Sequence, residues 1–286
     1  MKEYDLMVIG MGPAGMAISA MGSAMGLSVV SFEKHKVGGE CLNCGCIPSK
    51  ALLKASEAFH SARNLEKYGI IAGLSVDDFD PMGVVREKIG GITNKKMMSV
   101  FEKVHLVQGE AEFVDDRTVR SGGEDYRAKK IFIAVGTEPF IPPIPGLRDI
   151  PDVLTNANLF QLEKMPESLT IIGGGAIGSE MAQAFTRLGT KVSMIHMDPH
   201  LIPLGDAEAA QLLEESFRSE GITVHNGAAI ESVSLEDGLV VVKAGDILLK
   251  SQRILVAAGR KPALEPLKLD KAGIEFTKKG ITVDSY

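Results

Sequence analysis

Cysteine is scarce in this 286-residue chain: three residues in all, Cys41, Cys44 and Cys46. Three thiols within six positions cannot staple a small secreted fold, so a disulfide framework is excluded and the chemistry must be local. Net positive charge is missing too. Lys and Arg number 31 against 37 Asp and Glu, leaving −6, which argues against nucleic acid or an anionic membrane as the main partner. Tryptophan is absent and aromatics make up 5%, which says nothing about substrate. The uncharged run from Leu6 to Phe32 covers 27 residues, long enough to span a bilayer. Gly10, Gly12, Pro13, Gly15, Gly22 and Gly26 break it into short elements, and Lys2, Glu3 and Asp5 make a poor start for a signal peptide. A cytoplasmic chain is expected. Its 45% hydrophobic and 24% charged residues are a globular balance, and its length suits one large domain or two ordinary ones. Only glycine is in excess, at 31 residues or about 11% against a usual ~7%.

The glycines are not scattered. Tyr4 to Ile9 reads as a buried strand running into Gly10-Met11-Gly12-Pro13-Ala14-Gly15, then into the small apolar helix Met16 to Met21. A second strand, Leu27 to Phe32, ends at Glu33, 18 residues after Gly15. Such glycines permit a tight turn and close backbone approach, the helix N-terminus receives a pyrophosphate, and the carboxylate takes ribose hydroxyls. The pattern recurs. Ser168 to Ile172 runs into Gly173-Gly174-Gly175-Ala176-Ile177-Gly178, a helix follows through Phe185, and Lys191 to Ile195 is the next strand. The slot that Glu33 fills in the first unit holds His196 in the second. An acid there favours NAD(H) and repels a 2′-phosphate. Histidine does neither decisively, with a lean away from strict NADH specificity, and Asp198 two residues on is a further candidate.

Two cradles imply two dinucleotides on one chain, as in a flavoenzyme served by a nicotinamide. The expected fold class is α/β, with two three-layer, Rossmann-like dinucleotide-binding domains. Ile131 to Thr137 reads as a buried strand with a small-residue turn, and Ile254 to Arg260 repeats that design. Pro139, Pro142, Pro143 and Pro145 form a stiff connector between the cradles. Domains are accordingly placed at 1–148 and 149–265, with 266–286 beginning a return to the first.

Gly38 to Lys50 carries the thiols. Pro48 suits the first turn of a helix, which puts Cys46 near its N-terminus, where free N–H groups favour a thiolate. Cys41 lies five residues earlier, roughly 7.5 Å of rise in a regular helix and beyond disulfide reach, so the segment must be distorted, with Gly45 as one place for it. Three readings stand: a Cys41–Cys46 redox disulfide beside a flavin, a thiolate metal site, or inert buried thiols. Against a metal, only three ligands are present and no His follows at finger spacing.

The order of features resembles the pyridine nucleotide–disulfide oxidoreductases, flavoproteins that include dihydrolipoamide dehydrogenase, glutathione reductase and mercuric reductase. Gly38-Gly39 through Ile47-Pro48-Ser49-Lys50 is the strongest match, joined by both cradles, Ala134-Val135-Gly136-Thr137 and Gly259-Arg260. The resemblance covers essentially the whole chain. It implies FAD and NAD or NADP as cofactors, with a hydride passing between NAD(P)H and a Cys41–Cys46 disulfide by way of the flavin. Cys46 would contact the flavin and Cys41 would exchange with a dithiol or disulfide substrate. Lys50 and Glu180 match an ion pair at the flavin's reactive edge, Ala111 a contact with the adenine end of FAD, and Val233 one beside the nicotinamide cofactor's adenine. Ala176 stands where some members place a bulky gate.

Two departures stand out. Cys44 replaces a commonly apolar or aromatic residue; exchange with the disulfide, help in binding a soft metal and a small buried hydrophobe are the three readings, the last favoured. The resemblance also implies a further FAD contact and a dimerisation domain holding a catalytic His and Glu, and neither lies within these 286 residues. None of His35, His60, His105, His196, His200 and His225 has the matching context, and His35 with Glu40 is rejected as the acid–base pair. Without such a base, thiol exchange is expected to slow by about 10²–10⁴-fold. The chain is therefore read as a fragment or truncated relative of a homodimeric disulfide oxidoreductase. A nucleotide-binding module without turnover and a soft-metal reductase are the alternatives.

Overall fold

A strand buried on both faces reads as a continuous apolar run, and Leu6-Met7-Val8-Ile9 is one. In the computed structural model, which describes residues 2–70, 73, 75, 79–92 and 95–285, this run ends β1 (Lys2–Ile9). After it come α1 (Pro13–Ala24), β2 (Val29–Glu33), α2 (Gly39–Asn43), α3 (Cys46–Glu66), α4 (Pro81–Ile92) and α5 (Lys95–Ser99). Next are β3 (His105–Gln108), β4 (Glu112–Phe113), β5 (Thr118–Ser121), β6 (Glu124–Ile133) and β7 (Thr137–Pro139). β8 (Ser168–Ile172), α6 (Ala176–Arg187), β9 (Lys191–Ile195), α7 (Ala207–Ser219) and β10 (Thr223–His225) follow. β11 (Ser232–Glu236), β12 (Leu239–Ala244), β13 (Ile247–Ser251) and β14 (Arg253–Val256) precede the short β15 (Arg260–Pro262), β16 (Phe276–Thr277) and β17 (Gly280–Ile281).

The chain divides into two compact units, one made of 1–46, 89–138 and 260–286, the other of 47–88 and 139–259. The first holds a six-stranded sheet of order β3-β2-β1-β6-β5-β4. Its first four strands are parallel, and β5 and β4 add an antiparallel edge. Met7 and Ile9 pack into a core with Val30, Phe32 and Tyr126, while Val8, Met11 and Val29 fill the opposite face. The end of β6 departs from the buried strand expected. Ile131 and Ile133 pack on the core, but alternation turns Phe132 to the other face, where it is 40% exposed.

In the second unit the parallel sheet runs β10-β9-β8-β14, beside an antiparallel meander β11-β12-β13. Met181, Ala182, Ala184 and Phe185 form the buried face of α6. Ile172, Ile195, Val242 and Val256 lie in the core below the meander. Each unit thus has a glycine turn leading from a parallel strand into a helix, the expected α/β class. Among the described residues no helix is long and apolar enough to cross a membrane.

Candidate functional site

Glycines at the first turn serve two different purposes. Gly10 leaves β1 at φ +97°, and a β-carbon there would lie 2.5 Å from the Ala134 carbonyl oxygen. One at Gly15 would lie 1.8 Å from the Gly10 carbonyl oxygen. These two let the turn close. Gly12 is the N-cap of α1, no side chain caps that helix, and a β-carbon there meets nothing within 4 Å. The N–H groups of the first turn therefore open onto side-chain-free space, as a pyrophosphate requires. Glu33, 7% exposed, ends β2 beside the turn. Its Oε2 accepts from the Met11 N–H at 2.9 Å and its Oε1 from the His35 N–H at 2.8 Å, and each oxygen keeps a lone pair for a ribose hydroxyl. Ala111 lines a cavity of about 240 Å³ with Glu110, Glu112, Arg120, Ser121 and Pro266. The buried Ser121 Oγ has no hydrogen-bond partner. These features fit a dinucleotide such as FAD.

The thiol segment is broken where the spacing demands it. Cys41 sits in α2, which stops at Cys44 (φ −150°), and Cys46 begins α3. A β-carbon at Gly45 would come 3.0 Å from the Glu40 carbonyl oxygen and 3.4 Å from the Cys41 Cα, so glycine lets the chain fold back closely. Cys46 returns against Cys41 with the two thiols hydrogen-bonded and no S–S bond between them. That contact pushes the Cys41 thiol up, burial and charge at Cys46 add to it, and the Cys46 backbone N–H opposes. Burial pushes the Cys44 thiol up. Cys46 is exposed, whereas Cys41 and Cys44 are half-buried. Pro48 falls in the first turn of α3, where its missing N–H costs nothing.

A clamp that the sequence did not announce holds this turn. The Glu40 carboxylate accepts from the Arg260 guanidinium. Arg260 also donates from Nε to Thr137 Oγ1 at 2.6 Å and from Nη2 to the Thr137 carbonyl at 2.9 Å. Thr137 and Arg260 are thereby brought to the residue before Cys41. Gly259-Arg260 was legible as a motif, but nothing in its spacing pointed to Glu40. Among the described residues no group of three or more His, Cys, Asp or Glu could hold a metal ion.

The second turn repeats the division of labour. A β-carbon at Gly173 would lie 2.3 Å from the Ala257 carbonyl oxygen, and one at Gly178 would lie 2.1 Å from the Gly173 carbonyl oxygen. Gly175 caps α6 and faces open space, so this turn too fits a pyrophosphate. His196, 4% exposed, lies over Gly174, whose β-carbon would meet the imidazole at 2.7 Å. Its Nε2 contacts Asn226 Oδ1 at 2.7 Å. Lys50, on α3, and Glu180, on α6, form an ion pair within this unit. Gly259 adopts φ +120°, faces open space and accepts from the Phe140 N–H at 3.0 Å. Val233 is 3% exposed and its side chain lies in the core.

The pyridine nucleotide-disulphide oxidoreductase family matches residues 4–286. The chain belongs to this family. A dihydrolipoyl dehydrogenase of Thermus scotoductus is 38% identical over 98% of the chain and 62% of its own length. A mercuric reductase of Bacillus cereus is 34% identical over 99% of the chain and 46% of its own length. Among solved structures, the Cu(II) complex of the HOCl-induced flavoprotein disulfide reductase RclA from Escherichia coli superposes with a TM-score of 0.87 at 28% identity. It covers 99% of the chain and 62% of RclA. The chain thus spans about 62% or less of the length of these relatives. Pyridine nucleotide–disulphide oxidoreductases use FAD and NAD(P)H, in keeping with two cradles on one chain.

Proposed function

We propose that this chain carries the nucleotide-binding and dithiol parts of a flavoprotein disulfide reductase resembling the dihydrolipoyl dehydrogenases. The observation that carries the reading is the helix break that sets Cys41 against Cys46 at the start of α3. FAD would be held by Gly10, Gly12 and Gly15, with Glu33 on the ribose, Ala111 at the adenine and Thr137 near the thiol turn. The pyridine nucleotide would be held by Gly173, Gly175 and Gly178, with His196 and Val233 toward its adenosine and Gly259 closing the site. When bound, FAD supplies a two-electron carrier between the pyridine nucleotide and the thiols. Lys50 and Glu180 are assigned to supporting that transfer.

The cysteines do the exchange. The Cys41 thiolate attacks one sulfur of a substrate disulfide and expels the other, which takes up a proton. Cys46 then attacks the Cys41 sulfur of the mixed disulfide, closing Cys41–Cys46 and releasing the second substrate thiol. One disulfide is reduced and one is formed. A small or lipoyl-type dithiol/disulfide is the proposed substrate class, and a homodimer the proposed assembly. Soft-metal reduction is the second reading, supported by mercuric reductase among the relatives and by the copper complex of RclA.

Mild oxidation with diamide, iodoacetamide blocking and peptide mass mapping test the thiol assignment. The expected product links Cys41 to Cys46 and leaves Cys44 alkylated. A linkage through Cys44, or three alkylated thiols, would contradict it.

A further inference from the structure

The second cradle differs from the first at the residue ending its second strand, and the surroundings of His196 show what that difference does. Glu214, 6% exposed, accepts from the Asn226 Nδ2 at 2.7 Å, from the Leu201 N–H at 3.1 Å and from Arg218 at 3.1 Å. Burial pushes its carboxyl up, but these hydrogen bonds and the Arg218 charge outweigh that and hold it below the ordinary value. An ionised Glu214 must face the amide nitrogen of Asn226, so Asn226 presents its oxygen to His196. The His196 Nε2 therefore carries a proton, and in the neutral ring Nδ1 is a bare acceptor. That atom is buried without a hydrogen-bond partner. Asp198 Oδ2 stands 3.9 Å from it, and the Asp198 side chain is 54% exposed.

The sequence around this slot is one-sided in charge. From Val192 through Phe217 there is no Lys or Arg, and Arg218 beyond it is engaged with Glu214. A 2′-phosphate arriving here would meet the Asp198 carboxylate, with no Lys or Arg in the segment 192–217 to offset it. We infer that Asp198, two residues beyond the slot, selects an unphosphorylated adenosine ribose, NAD(H) over NADP(H). The preference this assigns is the reverse of the sequence-level lean. Asp198 acts on the nucleotide, and the bare Nδ1 of His196 offers its carboxylate no donor. Asp198 lies beside the imidazole, Glu214 reaches it only through Asn226 and Arg218 only through Glu214, and the His225 carbonyl accepts the His196 backbone N–H at 3.1 Å. The glycine turn contributes backbone only.

This inference rests on reading the second cradle as the pyridine-nucleotide site. Calorimetric titration of the intact chain with NAD⁺ and with NADP⁺ tests it without turnover. At pH 8, NAD⁺ should bind about tenfold tighter or more, given a carboxylate a few ångströms from the added phosphate. Asp198→Asn should collapse that preference. Equal or reversed affinities in the wild type, or an unchanged ratio in Asp198→Asn, would overturn the inference and leave the nucleotide site standing. No binding of either nucleotide by a folded chain would overturn both. Asp198 is exposed, so Asp198→Asn removes its charge without disturbing the core.

Discussion

At the scale of single residues, Gly12 and Gly15 separate holding a cofactor from holding the fold. A methyl group at Gly15 would press within 1.8 Å of a main-chain oxygen, and neither partner can yield cheaply. Gly15→Ala should cost about 3 kcal/mol or more in unfolding free energy. At Gly12 the backbone is φ −70°, ψ −174°, extended geometry that alanine accepts, and the added methyl meets nothing in the protein. Gly12→Ala should therefore leave stability unchanged or raise it by up to about 1 kcal/mol. Its FAD affinity should nonetheless fall, because the methyl occupies the space reserved for the pyrophosphate. Urea unfolding beside a flavin-retention assay checks the pair. Equal stability losses in both variants would mean that Gly12, too, is a packing glycine.

At the scale of elements, the contact between α6 and the end of α7 rests on a largely buried pair. Arg187 donates from Nε and Nη2 to both oxygens of Glu220, and Gln183 donates to one of them. The two side chains are 21% and 13% exposed. Burial pushes the Glu220 carboxyl up, yet the Arg187 and Gln183 hydrogen bonds and the Arg187 charge win, so it titrates below the ordinary 4.5. A carboxyl lowered by folding stabilises the protein above its unfolded value, and that contribution is lost as the pH falls through the lowered one. Glu220→Gln should melt below the wild type at pH 7, by the equivalent of about 1–3 kcal/mol. The gap should close toward pH 3. A gap that persists there would mean the loss is steric.

The same scale shows what could be read in advance. Both glycine turns were legible because their spacing follows from backbone close approach, a local requirement. The break between Cys41 and Cys46 was legible because five residues of helix keep two thiols apart. The clamp from Arg260 to Glu40 was not, since it joins residues 220 apart in sequence. Nor was the chain from His196 through Asn226 to Glu214, which depends on an amide orientation set by tertiary packing. Val233 was matched by motif alone, and its side chain lies in the core, so any contact with a nucleotide falls to its backbone.

Across the whole molecule, the central claim is that two cradles and one dithiol belong to a single electron path. Cys41, Cys46 and Glu33 lie in the first unit, and Lys50, Glu180 and His196 in the second. Family membership supports the path, and the chain spans 62% of the length of the Thermus scotoductus relative. The most direct test is an anaerobic absorbance titration of the FAD-loaded chain, first with NADH and then with NADPH. A new long-wavelength band that disappears in Cys46→Ala, with the oxidised flavin's main visible band largely kept because the two electrons rest on the thiols, is the expected result, and NADH should be the better donor. Flavin reduction with an identical spectrum in Cys46→Ala, or no reduction by either nucleotide, would contradict the coupling of thiol, flavin and pyridine nucleotide in this chain.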